Sequence, residues 1–467
     1  MYPDGIAQVE EGLFSQTMAF EDISYQSARE ESQRAIFSGW CQLFDYFGAD
    51  SCVQLTVVNR PIPAEEIGTK RFFPTDDPQT AAYAEEYNRI LNDKMREGVS
   101  NLVRERYLTF AVGAPSVDAA VPRLARMRGD AEQTLAKMRS SSRTLSGAER
   151  IGVLNGLLRP GKPNLFSWDA VGARGGLTTK DFVCPSSLDF KPEGSASCFK
   201  SGDTWCQVLV LGRFGSELSD RCLADIIDLS VPLAITLHVQ AMDKSKAVAF
   251  VKKRIAWMDK EIIDEQMGAV KKGYDFQILP SELKYSKEEA EDLLDHLQNK
   301  NQRLYVYTGL VYTYAPTREG LDEQVMQIVS TARRNSIEAD TLDYRQREGL
   351  NSILPLGHNH VEVSRMMTTA QVAIQMPFAT QELSHEGGGY YGQNKQSSNR
   401  PMQPEEACEP HGLRRRQARI GKVVLRQARD REHHPRVPRG RDYRPRPRWR
   451  VLSRGRGERR GVHAVRP

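Results

Sequence analysis
The sequence of 467 residues is poor in cysteine, with seven, and none stands in a C-x-x-C pair. Cys41, Cys52, Cys184, Cys198, Cys206, Cys222 and Cys408 are odd in number and irregularly spaced, which argues against a disulfide scaffold and a zinc knuckle. Long apolar runs are missing too. No stretch approaches the ~18 residues that span a bilayer, and the opening MYPDGIAQVEEGLF has neither a charged nor an apolar leader region. A cytosolic, reducing setting is the expectation. Positive charge is scarce through residue 400, where 45 basic side chains face 53 acidic ones. It gathers instead in residues 401–467, with 19 Arg and one Lys against seven acids. In the body the Arg to Lys ratio is only 27 to 18. Phosphate contact favours Arg somewhat, yet natural basic tails mix in Lys. The skew therefore looks like G+C-rich coding rather than binding chemistry.

What is present is an alternation of strands and long helices, which predicts an α+β fold rather than a bundle. Residues 26–47 read as an amphipathic helix, and the strand CVQLTVVNR follows at 52–60. A helix near 80–102, the strand RERYLTFAVG and helices near 116–140 and 146–158 complete a first α/β stretch. TWCQVLVLGRF, from Thr204, reads as a buried strand, followed by a short helix. In PLAITLHVQ, Leu233, Ile235, Leu237 and Val239 alternate with Ala, Thr and His, the mark of a half-buried strand. Val248, Val251, Ile255, Met258 and Ile262 then share one helix face. A polar helical hairpin, the Tyr/Val strand RLYVYTGLVYTYA, a helix striped with Leu321, Val325, Ile328 and Val329, and EADTLDYRQ follow. That order matches a ferredoxin-like split-βαβ unit with a helical insertion.

No nucleophile–base constellation, acidic pair or metal cluster is spelled by this spacing, so no catalytic, cofactor-binding or metal residue is assigned. GLLRPGKP (Gly156–Pro163) fits the first seven positions of a phosphate loop. Pro160 and Pro163 lack N–H groups, however, Pro163 stands at the hydroxyl position, and helix precedes it. His358 and His360 in HNH, at i and i+2, make a poor metal pair without a carboxylate or Cys partner, and read as a polar turn. His238 reads as a structural histidine and the tyrosines between Tyr305 and Tyr314 as packing residues. Lys252, Lys253 and Arg254 read as a solvated helix face.

From Thr368 onward, TTAQVAIQMPFATQELSHEGGGYYGQNKQSSNRPM resembles the approach to the motor domain of the conjugal-transfer ATPases of type IV secretion, the TraE/TraC/TrsE-like, VirB-family motors. Thr368, Thr369, Pro377, Phe378, Gly387, Gly388, Tyr390, Tyr391, Gly392 and Asn394 carry the likeness. It extends more weakly back to about residue 20, through LDYRQREGLNSILPLG. The resemblance implies ATP and Mg as cofactors in intact relatives, with partners among secretion-channel components at the inner membrane. It also implies a homo-oligomer, peripheral at that membrane.

The likeness stops at Met402, where a Walker A loop is due and QPEEACEPHGLRRRQARIGKVV stands instead. Reading one base forward, the codons of Arg416 through Val423 permit Gly-Lys-Pro-Gly-Ser-Gly-Lys-Ser, a complete phosphate loop. Those of Glu406 to Gly412 permit Lys-Leu-Ala-Asn-Pro-Thr-Gly. Further on, those of Arg439 through Val451 permit Glu-Asp-Glu-Ile-Ile-Val-Leu-Asp-Pro-Asp-Gly-Glu-Tyr, like the family's next strand. The expectation is a frameshift near Met402 and Gln403. The expected organisation is an N-terminal α/β region (1–160), Gly/Ser-rich connecting loops (161–203) and a ferredoxin-like domain (204–360). The truncated start of a RecA-like P-loop domain (361–402) and a disordered, out-of-frame Arg-rich tail (403–467) follow. Such a chain holds no cofactor and no ATPase activity, since the Walker A and B motifs are not in frame. The alternative is a non-enzymatic protein that contacts DNA or RNA non-specifically through its tail.

Overall fold
The computed structural model describes residues 1–26, 28–61, 81–97, 102–173, 177–215, 218–271, 281–299 and 302–379. All belong to one compact unit, Met1–Cys408; a second, Glu409–Pro467, lies outside the described residues. The Gly-rich stretch from 380 and the Arg-rich tail are therefore also outside them, as are the expectations placed there.

The chain begins with a hairpin of β1 (Ala7–Glu10) and β2 (Leu13–Phe20), followed by α1 (Glu30–Tyr46), β3 (Ser51–Pro61), α2 (Ala81–Glu97) and β4 (Leu102–Gly113). α3 (Val117–Lys137), β5 (Ser142–Thr144), α4 (Gly147–Leu158) and α5 (Trp168–Ala173) come next. After the short β6 (Leu188–Asp189) and β7 (Phe199–Ser201) run β8 (Thr204–Phe214), α6 (Ala224–Ile227) and β9 (Leu233–Ala241). The hairpin of α7 (Lys244–Lys271) and α8 (Ser281–Asn299) leads to β10 (Leu304–Ala315), α9 (Arg318–Arg334) and β11 (Ile337–Thr341). α10 (Gln346–Ile353), β12 (Arg365–Thr368) and α11 (Thr369–Ala373) close the described chain. The fold is α+β: the twelve strands make one antiparallel sheet, and β3 pairs with β9 to carry it without a break from the first stretch to the second.

Helices cover both faces. On one face Trp40, Phe44, Leu124 and Leu135 pack with Leu55, Phe110, Leu237 and Ile328. On the other, Ile151, Leu154 and Leu350 pack with Val208, Leu310 and Tyr312. This corrects the expectation for β9. Its polar side is not solvated: Ala234, Thr236 and His238 are buried along with Leu233 to Val239, because α10 and the loop after it lie across them.

Two halves of the sheet repeat one plan. The strand orders β5-β2-β4-β3 and β11-β8-β10-β9 are the same when strands are counted from β2 and from β8. Ala114-Pro115-Ser116 leads from β4 into α3, and Ala315-Pro316-Thr317 leads from β10 into α9. Ser116 and Thr317 each cap their helix, accepting from Ala119 N and Gly320 N. Equating these turns makes Ala111 the counterpart of Tyr312, and through the sheet register makes Leu55 the counterpart of Leu237. Leu55 and Leu237 are also direct partners across the β3–β9 seam. A pseudo-twofold axis therefore passes through that pair.

The repeat continues beyond each fourth strand. Thr144-Leu145, Leu154-Asn155, Leu158, Pro160, Gly161 and Asn164 recur in order as Thr341-Leu342, Leu350-Asn351, Leu354, Pro355, Gly357 and Asn359. Gly161 and Gly357 are both left-handed, at φ 74° and 78°. The phosphate-loop lookalike is thus the sister of the HNH turn, with Gly156 inside α4. Corresponding side chains also reach corresponding strand positions. Arg150 donates to Ser15 O at 2.8 Å, while Gln346 donates to Val208 O at 3.0 Å and accepts from Val208 N at 2.8 Å.

Candidate functional site
The two sister turns differ in how they meet the sheet. Gly357 lies against Ala111, so close that a Cβ there would come within 2.7 Å of the alanine methyl. At the corresponding place the ring of Tyr312 stands instead, donating from Oη to Leu157 O at 3.1 Å, and Gly161 faces open space. A small residue under one turn lets it sink, and a large one holds the other off.

The sunken turn, residues 352–360, is fixed by buried polar side chains from both halves. Gln54 donates to Leu354 O at 2.9 Å and accepts from Gly357 N at 2.7 Å. Thr236 donates to Ile353 O at 3.2 Å, and Pro355 O accepts from Thr17 and from Arg150 at 3.3 and 3.0 Å. Ser352 Oγ accepts from His360 N at 2.8 Å, and Asn359 donates to Thr308 at 3.0 Å. Arg150 is buried and also donates to Gly5 O and to Ser15. These bonds exist because polar groups taken out of water must find partners. Their result is a surface turn with little freedom.

His238 lies beneath, its Nε2 2.7 Å from Ser352 O and its Nδ1 without a hydrogen-bond partner. Burial pulls its pKa down to about 4, so the ring is neutral at physiological pH. Above it, His358 and His360 stack with ring centroids 4.3 Å apart. Glu10, at the end of β1, brings Oε1 to 2.9 Å from His358 Nδ1. The β1–β2 pairing is irregular between Gln8 and Glu10; such bulges re-aim side chains. One ligand atom from each of Glu10, His358 and His360 lies within 4.8 Å of the others. Burial and the neighbouring His358 lower the pKa of His360, opposed by Glu10 and Glu348.

The HNH turn is thus polar, as its residues suggest, but it is not without a carboxylate. Glu10 comes from the other end of the sequence, on the strand that the repeat places beside this turn. Spacing rules search along the chain and cannot see it. The repeat puts the N-terminal hairpin next to the second half's turn, but it emerges only once the strand order is known.

The other sequence candidates fall into structural roles. Tyr305, Tyr307 and Tyr312 are buried. Thr368 caps α11, accepting from Gln371 N, and Thr369 donates to Asp45 at 2.9 Å. Pro377 O accepts from Arg106 at 2.9 Å. Phe378 is buried with its ring 5.2 Å from that of Trp40 and 6.4 Å from Phe20. Gly387, Gly388, Tyr390, Tyr391, Gly392 and Asn394 lie outside the described residues. No described helix is long and apolar enough to cross a membrane. No protein-family model matches the chain, and no curated protein matches it.

Proposed function
We propose that the chain is the N-terminal assembly region of a type IV secretion, conjugative DNA-transfer motor, cut off by a frameshift from its nucleotide-binding domain. The observation that carries this reading is the Thr368–Asn394 pattern followed, in one shifted frame and in family order, by a permitted phosphate loop and the strand after it. Chance allows one short motif of this kind; two more flanking it at suitable spacing are far harder to obtain. The finer architecture belongs to the same reading: strand order 4-1-3-2 with every neighbour antiparallel is that of a ferredoxin-like unit, and two would stand side by side. Packing of Thr369, Pro377 and Phe378 supports a body that holds the first part of the 361–402 segment, through which the chain would enter a RecA-like motor. Exposed apolar side chains on α7 (Phe250, Trp257, Ile263 and Met267) support a partner-facing role for the inserted hairpin, toward a channel component.

In an intact relative the loop's N–H groups and Lys would hold the phosphates and its Ser the Mg²⁺. None of these stands in the frame of this chain, so it hydrolyses no ATP. Two measurements test the proposal. Reading the nucleotides across codons 402 and 403 should reveal the shifted phosphate loop downstream, and any other sequence there defeats the frameshift. The purified full chain should show no Mg-ATP binding at micromolar nucleotide. Strong, salt-sensitive DNA binding by the tail would not distinguish the readings unless the corrected gene lacked it.

A further inference from the structure
We infer that Glu10, His358 and His360 form a binding site for a divalent transition-metal ion of the zinc class. Two imidazoles and a carboxylate are the donor set such ions select. Three observations converge on the place. His358 Nδ1 is buried and makes no hydrogen bond, although Glu10 Oε1 is only 2.9 Å away. The pair is therefore close without the angles of a hydrogen bond; two donors at that separation, each about 2.0–2.1 Å from one ion, subtend roughly 90° at it, and an opening of about half an ångström reaches the tetrahedral angle. Glu348 adds a second nearby carboxylate, whose buried Oε2 has no partner either. Lastly, the turn bearing both histidines is held by Gln54, Thr236, Thr17, Arg150 and Asn359. Ligands held by a rigid second layer are what a metal site requires.

Three protein ligands leave a fourth position to water or to a donor from a partner. Bound there, the ion would tie the edge strand β1 to the turn that precedes β12, joining the first and last parts of the described chain. Its sister turn offers Lys162 where His358 stands, so only one of the two copies has the chemistry.

The test is a Zn²⁺ titration of the full chain against a chromophoric chelator, with Co²⁺ absorption as a second readout. Other histidines lie in the sequence, so the quantity read is the difference between proteins. The parent chain should bind one equivalent that Glu10→Gln and His360→Ala weaken at least tenfold. His360→Cys, which supplies a thiolate donor, should retain it. Both altered side chains are exposed, and circular dichroism checks that the variants stay folded. Zn²⁺ should also raise the melting temperature of the parent and not of the Glu10→Gln/His360→Ala pair. Equal stoichiometry and affinity in the parent and the double variant would overturn the site, as would loss of binding in His360→Cys equal to that in His360→Ala.

Discussion

His238 shows how a single buried ring sets a pH dependence. The folded protein keeps it neutral down to about pH 4, whereas an unfolded chain takes up the proton near 6.5. Between those values the unfolded state binds more protons, so this contribution is complete above pH 6.5 and is lost as pH falls toward 4. The difference is on the order of 3 kcal/mol. His238→Gln can keep a donor near Ser352 O and removes the titration. Urea unfolding at several pH values should show a shallower acid loss in the variant by about that amount; identical slopes would refute the assignment. At the same scale, the two left-handed glycines should respond differently. Gly161→Ala meets only backbone strain, about 1 kcal/mol. Gly357→Ala adds the collision with Ala111 and should cost distinctly more, about 2–4 kcal/mol, as read from denaturation midpoints.

Elements with strong periodicity are legible in the sequence. α1, β3, β4, α3, α4, β8, β9, β10 and α9 fall where alternation or helical stripes put them. The shorter pieces are not legible. β12 and α11 span four and five residues, too few for a period to show, and they form because Phe378 and Thr369 find sites in the body. The β1–β2 hairpin hides for another reason: five successive residues of β2, Phe14 to Met18, are buried and include Ser, Gln and Thr, so the polar side of the strand does not mark solvent. The polar side of β9 misleads for the same cause. Polar residues on this sheet serve the sunken turn rather than water. A prediction belongs to this scale. Phe378→Ala should destabilise the fold by about 3–5 kcal/mol, since its ring packs edge-on to Trp40 and Phe20. Met326→Ala, at an exposed position, should change stability by less than about 0.5 kcal/mol. Thermal or urea denaturation separates the two, and a small effect at Phe378 would mean that the segment after β12 is not part of the core.

For the whole molecule, the seam decides cooperativity. β3 and β9 pair from Cys52–Gln240 to Asn59–Leu233, with both faces covered, so neither half can open without stripping the other's edge. Amides of β3 and β9 should exchange at matching free energies in native-state hydrogen exchange, and in one cooperative unit with β4 and β10. Separate exchange of the two halves would contradict a single sheet. The repeat is latent in the sequence as sparse matches about two hundred residues apart, too few for composition or periodicity to flag, and only the strand order aligns them. The candidate metal site is hidden by a greater distance still, from Glu10 to His358.

The self-pairing of Leu55 with Leu237 has the form of a contact between two identical chains. A strand that meets its own counterpart on a twofold axis is the isologous contact of a homodimer, and one half alone would expose that strand as a sticky edge. Duplication and fusion of such a gene would turn a concentration-dependent association into a permanent one. Selection would then no longer act on both copies alike. One turn could keep its tyrosine prop, while the other sank onto an alanine and gathered histidines, a divergence that a symmetric dimer with identical subunits could never make.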